Sequence, residues 1–120
     1  MARVQLNNLD TNVSTLQESL VELSVNGAID PSTGATYLIT KAGVLADTLA
    51  APVSVTDDGK IIKITSNTAN AHTLTATGLL NTGSASVNLA TFAAFAGAGL
   101  TLMAVRGKWN VLAQIGITFT

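Results

Sequence analysis

From residue 35 onward the chain is divided into short runs dominated by Thr, Val, Ile and Leu: residues 35–40, 43–49, 60–66, 72–77, 84–92, 99–106 and 109–118. Turn-forming residues interrupt these runs at intervals of about 8–12 residues, the spacing of a sandwich or a small barrel. No long helical period recurs after residue 30, which argues against alternating β and α elements. The pattern therefore predicts an all-β fold, a small antiparallel β-sandwich or barrel-like domain. Asp57, Asp58, Gly59 and Arg106, Gly107, Lys108 are the clearest hairpin turns, since glycine supplies the positive φ that tight hairpins require.

Upstream the period is different. Leu6, Leu9, Val13, Leu16, Leu20 and Leu23 are spaced alternately by three and four residues, with Leu6, Val13 and Leu20 at the a positions of a heptad and Leu9, Leu16 and Leu23 at the d positions. Thr15 with Glu18, and Ser14 with Gln17, match the capping box, so a short helix is expected to begin near residues 10–14. A helix of about three turns is marginal in water and must dock on something, either its own domain or a seam shared between identical subunits. These six residues are the candidate oligomer or partner interface. Asn26, Gly27, Asp30, Pro31, Ser32, Thr33 and Gly34 then concentrate turn chemistry and place a boundary near residue 30. Residues 1–30 read as an N-terminal arm with a short helix, and residues 31–120 as the β domain.

Charged residues make up only 11% of the 120, against about 25% in ordinary soluble chains. So few charges do not clothe a monomer in the usual way, which leaves membrane insertion or permanent burial in an assembly. Insertion as a helix needs about 18 uninterrupted apolar residues. The best stretch, residues 90–105, is short and broken by Thr91 and Thr101. Assembly is the expectation, with the chain itself as first partner and no membrane. Arg3 is followed by a polar stretch with Asn7, Asn8 and Asp10, so no signal peptide is expected. Six Lys plus Arg against seven Asp plus Glu give no footprint for nucleic acid.

Candidate chemistry is sparse. The chain has no cysteine, which removes disulfides, thiolates and Cys-containing zinc sites. His72 is the single histidine, and a structural role at a strand start is expected of it. No nucleophile-elbow pattern surrounds any serine. Asp57 and Asp58 are adjacent, so their carboxylates diverge and make a poor acid/base pair. Gly97, Ala98 and Gly99 lack the Lys-Ser or Lys-Thr of a phosphate loop and read as a turn. Tyr37, Phe92, Phe95, Trp109 and Phe119 are dispersed one per element, as core anchors are, and Trp109 is expected to plug the end of the core. No catalytic residue, metal, cofactor or small-molecule substrate is expected, and the chain does not read as an enzyme.

The residues Asp58-Gly59-Lys60, Ile64-Thr65-Ser66, Ala71-His72-Thr73 and Gly107-Lys108-Trp109 form a series that resembles small virion proteins of tailed bacteriophages, over roughly residues 43–117. In such proteins similar β modules serve as capsid decoration (cement) proteins or as parts of tail fibres, commonly as trimers. The resemblance implies a virion protein contacting the major capsid protein or other virion proteins. A decoration protein stabilising the head between capsomers is the leading expectation, and a tail or fibre component the alternative. A receptor- or carbohydrate-binding module is a third reading, with loops 66–71 and 79–84 as its site. Against it stands the absence of an aromatic residue from either loop.

Overall fold

The structure is a computed structural model that describes residues 20–31, 36–83 and 85–120. Among these residues there are ten strands and no helix: β1 (Leu20–Leu23), β2 (Ala28–Ile29), β3 (Thr36–Ile39), β4 (Ala46–Leu49), β5 (Ile61–Ser66), β6 (Thr73–Asn81), β7 (Ser86–Phe92), β8 (Gly99–Val105), β9 (Lys108–Ile115) and β10 (Ile117–Phe119). The all-β expectation holds, and the runs marked in the sequence fall on β3 to β10.

The topology is that of a chain wound around itself. Odd strands β1, β3 and β5 stack parallel in one row, and even strands β2, β4 and β6 stack parallel in a second. The chain then reverses. β7 joins the second row antiparallel to β6, and β8 joins the first antiparallel to β5. A last circuit adds β9 beside β8 and β10 beside β7. The rows are therefore β1-β3-β5-β8-β9 and β2-β4-β6-β7-β10, and the end of β6, paired with β9 through Leu80 and Trp109, joins them into one curled sheet. The ladder continues around the corners, where Thr40 N–H donates to Leu23 C=O, Asn67 N–H to Ile39 C=O, and Thr73 N–H to Leu45 C=O.

Alternation along each strand decides what is buried. Val21, Tyr37, Ile64 and Leu100 stack across the first row, and Ile29 pairs with Leu49 in the second. Both sets meet in one cluster with Ile39, Ile62, Leu74, Leu80, Phe92, Leu102 and Trp109. Trp109 is fully buried, and its indole N–H donates to Ala50 C=O at 2.9 Å, tying the last circuit to the end of β4. It plugs the core as expected. Phe95 does not, since it stands 43% exposed on a corner.

Three expectations are corrected. The heptad does not continue as a helix through Leu20 and Leu23, because these residues lie in β1. A spacing of three puts two leucines on opposite faces of a strand. Leu20 points outward, while Leu23 pairs opposite Ile39 against the core. The boundary near residue 30 shifts as well, because β1 and β2 are laddered to β3 and β4, so the sheet has begun by Leu20. The pairing is mixed and not purely antiparallel, because consecutive strands go to different rows and same-row neighbours are a full circuit apart. Asp57, Asp58 and Gly59 accordingly close no hairpin; they lie in the connection between β4 and β5, which do not pair. Arg106 and Gly107 do form one between β8 and β9, with both φ angles positive at 49° and 82°, the two-residue turn that suits twisted strands.

Candidate functional site

His72 is fully buried where the chain turns from the first row to the second. Its Nδ1 accepts the Leu45 N–H at 2.9 Å, so the ring proton sits on Nε2, which reaches Thr68 Oγ1 at 2.9 Å and Thr68 C=O at 3.3 Å. The ring meets Phe92 edge to face at 6.3 Å. Both nitrogens are thus engaged in holding loop 67–72 and the start of β4, with no nitrogen facing a cleft. No group of three or more potential metal ligands occurs among the described residues.

The carboxylates have similar work. Asp57 Oδ2 accepts the Val53 N–H at 2.7 Å, and Asp58 Oδ1 accepts Val55 N–H at 3.2 Å and Arg106 N–H at 2.7 Å. Asp58 also forms an ion pair with the Arg106 guanidinium. The two acids point apart, and Asp58 clamps the 54–59 turns onto the β8–β9 hairpin. Asp47 is a buried carboxylate within the second row, accepting Gly27 N–H at 2.8 Å. Burial pushes its pKa above the ordinary 3.8, opposed by the Gly27 hydrogen bond and by Lys41.

Of the six expected interface residues, Leu6, Leu9, Val13 and Leu16 lie outside the described residues. Leu20 and Leu23 are on opposite faces of β1, so only Leu20 is presented outward. Its face continues across the first row. The pairings place Thr36, Lys63, Thr101 and Ala113 in line with Leu20, and Leu38, Thr65, Gly99 and Ile115 in line with Glu22, while Ile61 and Met103 lie beside them. Leu20, Ile61 and Ile115 are 56%, 43% and 64% exposed. A hollow of about 300 Å³ opens over Gly99 beside Ile115, at a position where a Cβ would lie 2.7 Å from the Ile64 carbonyl oxygen. Among the described residues this outer face is mainly apolar and threonine-rich, with Glu22 and Lys63 as its charges.

A second feature lies where β6 ends. Asn81, Gly83, Ala85, Ser86, Asn110, Val111 and Leu112 line an open cleft of about 470 Å³. A chain of hydrogen bonds leads from Lys108, which bonds a residue of the lining, through three residues that line the cleft. Lys108 Nζ donates to Ser86 Oγ at 3.0 Å, Ser86 Oγ to Asn81 Oδ1 at 2.7 Å, and Asn81 Nδ2 to Asn110 Oδ1 at 2.9 Å. Sequence reasoning reached this place only through loop 79–84. Asn110, Ser86 and Lys108 gave no signal, because their convergence depends on β6 crossing from one row to the other.

No protein-family model matches the sequence, and no curated protein is significantly similar to it.

Proposed function

We propose that this chain is a structural virion protein without catalytic activity, a capsid decoration protein that binds between capsomers as a symmetric homo-oligomer, with a trimer as the expected form. The observation that carries the reading is the outer face of the first row. A laddered sheet presenting Leu20, Ile61 and Ile115, with the half-buried Leu38 and Met103 on the same face and few charges, is suited to lying against other protein surfaces. The sequence resemblance to small tailed-phage virion proteins supplies the partner, namely the shell. Many modest contacts repeated by symmetry would then add up to firm attachment.

Stacked circuits favour a second reading, a tail or fibre component. Parallel rows such as β1-β3-β5 extend by adding turns along one axis, as solenoids do. Electron microscopy of particles carrying the chain separates the two. Density repeated over the head, at on the order of hundreds of copies, is expected for decoration; density confined to the tail, or none on the particle, overturns it.

A further inference from the structure

We propose that the cleft beside the end of β6 binds a saccharide unit that carries a carboxylate, such as a uronic acid residue. Its volume of about 470 Å³ lies in the range of small-ligand sites. The hydrogen-bonded chain runs in one direction. Ser86 and Asn81 are each engaged as donor and acceptor within the chain of hydrogen bonds, so both ends of that chain are donors. Among the described residues Lys108 Nζ bonds Ser86 alone, leaving two of its N–H groups for other acceptors, and the Asn110 amide nitrogen has no acceptor. No carboxylate lines the cleft among the described residues. A hydrogen-bonded chain that ends in donors, with a cation beside the cleft bonded to Ser86, favours a ligand rich in acceptors and bearing negative charge.

The floor narrows the class. Val111 and the half-exposed Leu112 add apolar lining beside the polar Asn81, Ser86 and Asn110, a mixture that suits the C–H face and hydroxyls of a sugar ring. An added β-strand is the competing occupant, because among the described residues β9 has no neighbour on this edge after Asn110. The ladder between β8 and β9 skips Leu112, however, and a bulge at that point bends the edge away from regular pairing. The observations favour a compact polar ligand over an extended peptide. This inference does not rest on the virion reading, and either can fail alone.

The test is an NMR titration of the isotope-labelled full chain with a hyaluronan tetrasaccharide, with cellotetraose as the uncharged comparator. The expected result is a saturable shift of the Asn81 and Asn110 side-chain amide signals and of the Ser86 backbone amide, tighter for hyaluronan. Lys108→Met should weaken hyaluronan roughly ten-fold, the loss of one charge-assisted contact, and leave cellotetraose unchanged. Asn110→Ser, with an unchanged melting temperature as the control for folding, should weaken both sugars. Absence of a saturable shift at tens of millimolar overturns the proposal, as does equal binding of the two sugars or indifference to Lys108→Met. Shifts along residues 111–115 on addition of a Val/Thr-rich peptide, with none from either sugar, assign the edge to strand addition and likewise overturn it.

Discussion

At the scale of the residue, His72 and Asp47 are two of the buried polar groups among the described residues, and the fold accommodates them differently. His72 satisfies both nitrogens with neutral partners, one a main-chain donor and one a threonine that accepts. Its replacement by Gln keeps volume and some bonding capacity, so a loss of about 1 kcal/mol is expected, one net hydrogen bond, with assembly and particle binding within a few-fold of wild type. His72→Ala should cost about 3 kcal/mol, because a cavity and an unpaired Leu45 N–H add to the lost bond. Urea denaturation measures both. Equal effects of the two changes would mean that the ring's bonds contribute nothing. Asp47 is held in a setting that resists ionisation. With its folded pKa raised, the acid is unpenalised below pH 3.8, where folded and unfolded chains are both protonated, and stability is lost as pH rises through the folded value. Asp47→Asn keeps an oxygen for the Gly27 N–H and removes the charge. The variant should therefore be more stable than wild type at pH 7, with the gap closing as pH falls below the ordinary carboxylate value. A gap that widens on acidification would show that the ionised form is the stabilised one.

At the scale of the element, the β8–β9 hairpin is a two-residue turn held from outside. Arg106 is not glycine, yet it sits at φ 49°, and Asp58 offsets that by accepting its N–H and pairing with its guanidinium. Asp58→Ala should cost about 1 kcal/mol, since the ion pair is mostly exposed and the main-chain bonds carry the effect. Asp58→Asn should recover most of it, and added salt should change little. A full loss in Asp58→Asn, or a strong salt dependence, would assign the clamp to charge. The same elements explain what the sequence could and could not disclose. Short Thr/Val/Ile/Leu runs with frequent turns made β3 to β10 legible, and the Arg106-Gly107 hairpin followed from local turn chemistry alone. Which strand pairs with which is a non-local choice that alternation does not encode, so Asp58-Gly59 looked like a hairpin and proved to be a brace for one. Leu20 and Leu23 were misassigned because a three-residue spacing fits a helical seam as well as two sides of a strand, and pairing with β3 decided between them. The cleft was invisible for the same reason, since only the passage of β6 between rows brings Asn81 to Asn110.

At the scale of the molecule, the distribution of charge and apolar surface argues for self-association. The sequence has only 13 charged residues in 120, the body has principal extents of 55 × 35 × 22 Å, and one face of it carries Leu20, Ile61 and Ile115 in the open. A face of that kind is normally covered in a working protein. Light scattering of the purified chain at micromolar concentration should give a multiple of 12.2 kDa. Two sets of residues compete for the contact, and they separate cleanly. Ile61→Lys with Ile115→Lys charges the outer face at positions that contribute little to the core, so the melting temperature should hold while the mass falls. Leu16→Asp changes a heptad position that precedes β1, the first strand among the described residues. If only Leu16→Asp lowers the mass, the contact is the N-terminal seam and the sheet face is left for the capsid. If only the lysine pair lowers it, the copies meet through β5 and β9, and the heptad is not the interface. If wild type is a monomer at that concentration, the charge deficit is met on the particle and not between free copies, and the homo-oligomer is wrong.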